Sequence, residues 1–346
     1  MVKLRDAHPV LPDGTLDVHQ WILRVSSDRS EAEIDVIAKA CEFVKNFDNV
    51  KHNFEMAEIL HDLGLDANTL TAALLYRIPK NELREDKIEE EFGKEVILLL
   101  RGIQKIDAVT TRGGLHKSEN LKRLLLAIVE DVRVVLIKLA SRICEMRMAV
   151  HLSFDERRSM ALETQEIYVP LANRLGIGQI KWELEDLAFR FLEPEQYKTI
   201  AKLLDERRKA RESYIQQVVL DIENALKNQG IKAVVSGRVK HIYSIWRKMQ
   251  RKGVGYHEIY DVRAIRILVP TVRECYAALG TVHTFWKHIP KEFDDYIANQ
   301  KENGYRSLHT AVIGPEGKTL EVQLRTFEMH DQAELGVAAH YRRHKQ

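Results

Sequence analysis

The feature that most limits how this chain can fold is a change of hydrophobic period near Gly230. From residue 31 to about 229, apolar residues recur at helical spacing almost without interruption, as in Ile34, Ile37, Ala38, Cys41 and Val44. Beyond Gly230 short alternating segments take over, at 232–236, 260–269, 307–313 and 319–325. A period of 3.6 buries one stripe of a helix and a period of 2 buries one face of a strand, so the chain reads as α+β, with an all-helical part before a mixed α/β part. Its 346 residues are enough for two cores. Helix breaks are expected at Leu63-Gly64, Ile78-Pro79, Gly113-Gly114, Leu175-Gly176 and Glu193-Pro194. The charged stretch 196–228, with its stripe Ile200, Leu203, Leu204, Tyr214 and Val218, suits a connecting helix. The domains are therefore expected at 1–195 and 196–346.

Composition narrows the partners. No run of about 18 apolar residues could span a bilayer, and residues 1–17 carry charges where a secretory signal needs an apolar core, so a cytoplasmic protein without a membrane partner is expected. Cys41, Cys144 and Cys275 lie in apolar helical patterns without metal-ligand spacing and read as reduced core residues. The net charge is only +2, so any anion site must come from local clustering.

Such a cluster exists at 237–252, GRVKHIYSIWRKMQRK, with six Lys/Arg and no acid. On a helix, Ile242, Ile245 and Met249 share one face while His241, Ser244 and Lys248 share another, where cations and a hydroxyl converge. Taken alone this is a solvated basic face, a nucleic-acid patch or a polyphosphate site. Two acids favour the last. Asp261 begins the segment DVRAIRILV, and in TLEVQLRT the residues Glu321, Gln323 and Arg325 alternate with Leu320, Val322 and Leu324. Acids on two strands beside clustered cations can hold Mg²⁺ against the oxygens of a nucleoside triphosphate; singly, each acid reads as a surface ion pair. The turn and strand NGYRSLHT, 303–310, turn Tyr305, Ser307 and His309 to one side, where Tyr305 either stacks on a nucleobase or packs.

The segments GRVKHIYSIWRKM, YDVRAIRI, NGYRSLHT, LEVQLRT and MHDQAELGVAAHY, in this order, closely resemble the synthetase domain of the RelA/SpoT family, and the likeness extends through VPLANRLG and IGQIKWELEDLAFRFL. The resemblance implies a nucleotidyltransferase-like domain of the polymerase-β type that moves pyrophosphate from ATP to the 3′-hydroxyl of GDP or GTP, with Mg²⁺. It implies that Arg238 and Arg266 stack on adenine, that Lys240, Ser244 and Lys248 bind the ATP phosphates, and that Asp261 and Glu321 hold metal, with Glu321 also activating the attacking oxygen. Tyr305 would stack on guanine, with Lys301, Asn303, His309 and Gln323 as further acceptor contacts. On an ideal strand Arg263 shares the face of Asp261 and Arg266 takes the opposite one, so Arg263 also stands among the expected ATP contacts and Arg266 needs a twist or bulge. The acidic loop Glu292, Phe293, Asp294, Asp295 resembles the form found in synthetase-only relatives, and is otherwise an exposed acidic turn.

Many relatives use a helical HD-type domain as a metal-dependent hydrolase. Here His61-Asp62 mimics the ligand pair, but the family's pair follows an AALL-type helix, where this sequence has Tyr76-Arg77. By the same resemblance Lys80-Asn81 replace an acidic pair, Ser141 replaces the last Asp ligand, and only His52 remains. A dead hydrolase domain is expected, against two rivals: a bifunctional synthetase/hydrolase and a silent nucleic-acid-binding module. The chain stops at His344-Lys345-Gln346, where relatives continue into domains that engage ribosomes and uncharged tRNA, so a fragment is expected, with those partners reached only through the missing domains.

Overall fold

The computed structural model describes residues 16–27, 29–45, 47, 50–78, 84–110, 130–206, 208–238, 240–255 and 263–339. They form two compact units that part between residues 171 and 172. Asp261, Lys80, Asn81 and the Gly113-Gly114 break lie outside the described residues.

The first unit is helical: α1 (Val18–Val25), α2 (Glu31–Val44), α3 (Val50–Asp62), α4 (Ala67–Leu75), α5 (Glu85–Phe92), α6 (Lys94–Thr110), α7 (Val132–Met148) and α8 (Phe154–Glu163). Capping boxes start two of them, Ser30 with Glu33 and Ser153 with Glu156, each satisfying backbone donors that a helix start leaves open. The apolar stripes meet in a core containing Trp21, Phe54, Leu60, Leu70 and Leu74, with the Trp21 and Phe54 rings edge to face at 4.9 Å. Helix α3 ends at Asp62 and Gly64 takes φ +77°, the left-handed conformation that glycine adopts without strain. Cys41 and Cys144 are buried here as free thiols, as Cys275 is in the second unit. No described helix is long and apolar enough to cross a membrane.

After α9 (Val169–Arg174), the second unit contains α10 (Gly178–Leu192), α11 (Pro194–Glu206) and α12 (Arg208–Asn228), then β1 (Val234–Gly237), α13 (Ile242–Lys252), β2 (Ala264–Val269), α14 (Val272–Phe285), β3 (Lys287–His288), β4 (Asp294–Asp295), β5 (Leu308–Ile313), β6 (Thr319–Thr326) and α15 (Phe327–Leu335). The strands make one mixed sheet in the order β1-β2-β6-β5-β3, with β4 also on β5, and only β2 and β6 are parallel. Its apolar face, with Ile265, Ile267, Val269, Leu320, Val322 and Leu324, packs on Tyr214, Val218 and Ile222 of α12 and on Cys275, Ala278 and Val282 of α14.

The stretch expected as a connecting helix over 196–228 is helical over 194–206 and over 208–228, with residue 207 outside the described residues. Its single stripe serves two cores. Ile200 and Leu204 meet Phe189 of α10 and Ile242 and Ile245 of α13, while Tyr214 and Val218 lie under the sheet. Helix α10 packs on α13 and α15 within the compact unit that begins at residue 172, whereas the boundary was expected at 195.

Candidate active site

Alternation along β6 puts Leu320, Val322 and Leu324 into the core and turns Glu321, Gln323 and Arg325 to the other face. Register then sets their neighbours. Glu321 is opposite Ala264 on β2 and Ala311 on β5, so small side chains flank the acid on both sides and leave room over it. Gln323 is opposite Arg266 and His309. The β2–β6 pairing runs unbroken from Ala264 to Val269, so Arg266 reaches the face of Glu321 without the expected twist or bulge. Arg263 does not join it: its guanidinium lies over the Tyr214 ring, 5.4 Å from the centroid.

Glu321 is held between two cations, Arg238 Nη1 at 2.8 Å and Lys240 Nζ at 2.6 Å. Burial works to raise its carboxyl, but Lys240 and Arg238 outweigh burial and hold it down at about 2, so it is ionised at neutral pH. Burial lowers Lys240 by more than Glu321 restores. Lys248, half-buried one turn beyond exposed Ser244, is lowered to about 8 by burial and by the like charge of Lys240. Lys240 precedes helix α13 and Ser244 and Lys248 follow one turn apart along it, while Ile242 and Ile245 hold it to α10 and α11, the two-faced arrangement its sequence implies.

Beside this cluster lies a cavity of ≈ 240 Å³, lined by Trp182, Arg238, Lys301, Asn303, Tyr305 and His309 among others. Gly304, at φ +80°, makes the turn that delivers Tyr305 to it. The Tyr305 hydroxyl is 2.7 Å from His309 Nε2 and accepts from Gln323 Nε2 at 2.5 Å, and Lys301 Nζ stands 5.3 Å from the Tyr305 ring centre. Burial lowers His309 to about 3, so its ring is neutral. Ser307 turns into the sheet, its hydroxyl donating to the Leu324 carbonyl at 3.1 Å.

The acidic loop divides its work. Glu292 faces the cationic helix, 2.6 Å from Lys252 and 4.0 Å from Lys248. Asp295 accepts from the backbone N–H of Ile297 and Ala298 and from the Tyr276 hydroxyl, which fixes the turn. Asp294 pairs with His309 across β4 and β5.

Three supports escaped the sequence. Asp186, 1% exposed, accepts from Tyr243 N at 2.8 Å, which caps α13 from another helix, and lies 3.2 Å from His241 Nδ1. The His241 ring stacks on Trp182 at 5.3 Å. Glu334 on α15 holds Arg325 at 2.8 Å and Arg266 at 3.3 Å. A signal for Asp186 was present: with Trp182 and Phe189 it lies at i, i+4 and i+7, an acid on an apolar stripe. Nothing in the sequence pairs Glu334 with two arginines.

In the helical unit, His52 is buried and neither ring nitrogen has a partner among the described residues. Burial, then the charge of Arg77, lowers it to about 4. Arg77 ion-pairs with Glu145 at 2.6 Å, and Ser141 donates to the same oxygen at 3.1 Å. Tyr76 donates to Asp107 at 2.7 Å, and Lys138 bridges to both. His61 and Asp62 sit at the end of α3. Among the described residues no group of three or more His, Cys, Asp or Glu could hold a metal ion.

Residues 237–346 match a family described as a region found in RelA / SpoT proteins, and residues 39–178 match an HD domain family. A GTP pyrophosphokinase of Escherichia coli (strain K12) is 47% identical over 357 residues, covering 99% of this chain and 48% of that protein. One from Haemophilus influenzae is 46% identical over 359 residues, with the same coverage. The chain spans about half the length of these curated relatives. Among solved structures, small alarmone synthetase 1 from Bacillus subtilis bound to its product pppGpp is 26% identical, with TM-score 0.31, covering 43% of this chain and 90% of that one.

Proposed function

Since the chain belongs to the RelA/SpoT family, its helical HD domain followed by a mixed-sheet synthetase region, we propose that it transfers pyrophosphate from ATP to the 3′-hydroxyl of GDP or GTP and does not hydrolyse the product. The observation that carries this reading is Glu321: an ionised carboxylate clasped by Arg238 and Lys240, flanked by alanines, beside the Tyr305 cavity. A surface that only bound a phosphate backbone would have no use for an acid neutralising its central cations.

In this reading Arg238 and Arg266 bind the adenine, whose π face suits planar guanidinium groups. Lys240, Ser244 and Lys248 hold the ATP phosphates. Tyr305 stacks on guanine while Lys301, Asn303, His309 and Gln323 complete the acceptor pocket. The 3′-oxygen bonds to the β-phosphorus, the bond from that phosphorus to the α–β bridging oxygen breaks, AMP leaves, and the hydroxyl proton passes to Glu321. At about 2 the Glu321 carboxyl is a poor base in the free chain. When Lys240 turns to the polyphosphate and Arg238 to the adenine, their hold on Glu321 loosens, and the carboxylate regains basicity.

The donor set fits Mg²⁺, a hard ion usually held by one or two carboxylates and substrate phosphates. Glu321 supplies an ionised oxygen ligand with space over it, and Asp261 is the proposed second ligand. Bound there, the ion would neutralise charge on the migrating group. In the helical domain, Arg77 and Lys138 bring positive charge and Tyr76 and Ser141 are engaged by Asp107 and Glu145, which supports a silent hydrolase. Either GDP or GTP serves as the acceptor, and the cytoplasm is the compartment. Incubation with ATP, GDP and Mg²⁺, followed by nucleotide separation, tests the reading: AMP and a tetraphosphorylated guanosine are expected in equal amounts, and their absence overturns it.

A further inference from the structure

Gln323 occupies an unusual place between two nucleotide subsites. It is 1% exposed, and both ends of its amide are committed: Oε1 accepts from Arg266 Nε at 2.9 Å, and Nε2 donates to the Tyr305 hydroxyl at 2.5 Å. Because a guanidinium only donates, Arg266 fixes which end of the amide is oxygen. The amide nitrogen must then face Tyr305, whose oxygen accepts. His309 Nε2 stands 2.7 Å from the Tyr305 oxygen and 3.3 Å from the same amide nitrogen, so with an amide donor facing it the fitting tautomer of the neutral ring has Nε2 unprotonated and accepting, with the Tyr305 hydrogen donated to it.

From this geometry we infer that Gln323 is a positioning residue that ties Arg266 to Tyr305, so that a nucleotide occupying one subsite sets the affinity of the other. The inference rests on the reading above, in which Arg266 meets the adenine and Tyr305 the guanine. Glu334 holds the far side of Arg266 at 3.3 Å, opposite the Gln323 oxygen on Nε. A ring placed against Arg266 alters its hold on the Gln323 oxygen, and the amide hydrogen that Tyr305 accepts belongs to the same rigid group. The coupling is reciprocal, since each nucleotide changes the other's affinity by the same factor.

The test is calorimetric titration of GDP into the full chain with and without a non-hydrolysable ATP analogue and Mg²⁺, repeated on Gln323→Met, which keeps the volume and loses the bridge. The expected result is a GDP affinity raised by about 5-fold or more by the analogue in the wild type, and a ratio near one in Gln323→Met, whose GDP affinity is itself lower because an acceptor contact is lost while the analogue binds as it does to the wild type. A ratio near one in the wild type, or an unchanged ratio in the variant, overturns the inference and leaves the synthetase reading intact. Binding of neither nucleotide to the wild type overturns both. Nitrogen-15 spectra of the wild-type histidines need no variant: His309 should show an unprotonated Nε2, and its signals should shift when the ATP analogue is added alone. A His309 spectrum blind to the analogue overturns the inference.

Discussion

Glu321→Gln is a near-isosteric replacement that leaves Arg238 and Lys240 without their shared counter-charge. Lowering a carboxyl from an ordinary 4.5 to about 2 contributes roughly 3 kcal/mol to folding. The side chain is 16% exposed, so solvent screening removes only part of that. Gln mimics the protonated acid, and the variant should therefore be less stable by about 2 to 3 kcal/mol at pH 7. The sign with pH follows from the lowered value: the stabilisation is fully present above about 4.5 and is lost as pH falls towards about 2. The difference between wild type and variant should shrink to about half near pH 3. Trp182, Trp246 and Trp286 all lie in the synthetase unit, so denaturant unfolding followed by tryptophan fluorescence reports mainly on the relevant core. Synthesis should fall at least about 100-fold, about 3 kcal/mol of transition-state stabilisation. A folded variant within about 0.5 kcal/mol of wild type at pH 7 would refute the reasoning that the carboxylate compensates the two cations.

Tyr305→Ala should weaken GDP binding by about 1 to 3 kcal/mol and leave the affinity for an ATP analogue nearly unchanged in calorimetric titrations; loss of ATP with GDP intact would mean the subsites are interchanged. Lys248, lowered to about 8, is charged below that pH and neutral above it, so ATP affinity should decline as pH rises through 8. Lys248→Gln should flatten that part of the profile, and an unchanged slope would remove Lys248 from the phosphate site. With Mn²⁺ and ppGpp the chain should release no pyrophosphate above a no-enzyme control, and Arg77→Asp should not restore release, because one carboxylate cannot replace a ligand set. Chelator-sensitive release by the unaltered chain contradicts the silent-hydrolase reading.

Much of the synthetase core was legible because period and register are local properties. The alternation in TLEVQLRT separates core residues from Glu321, Gln323 and Arg325, and the 3.6-residue spacing of Ile242 and Ile245 gives the buried side of α13. Arg266 was harder. Phase counted from Asp261 sets it on the wrong face, whereas the structure takes its phase from pairing with β6, where Arg266 stands opposite Gln323. The stripe over α11 and α12 was legible as helical, but not that its two halves serve separate cores. Asp186 and Trp182 act on Tyr243 and His241, and Glu334 on Arg266, each more than 50 residues away in the chain, so their partners have no local signature even where, as for Asp186, the residue itself stands out. That Tyr76, Arg77 and Ser141 stand at the expected ligand positions was legible, but their engagement with Asp107, Glu145 and Lys138 emerges only from the packing of α4, α6 and α7.

The most direct test of the central claim follows the phosphorus atoms. ATP labelled at the β-phosphate is incubated with the chain, unlabelled GDP and Mg²⁺, and the nucleotides are separated. Intact pyrophosphate transfer predicts label in the guanosine product, on the phosphate attached at the 3′-oxygen, with AMP as the unlabelled partner in equal amount. Label remaining in ADP, with GTP formed instead, would show transfer of the γ-phosphate alone and contradict the account.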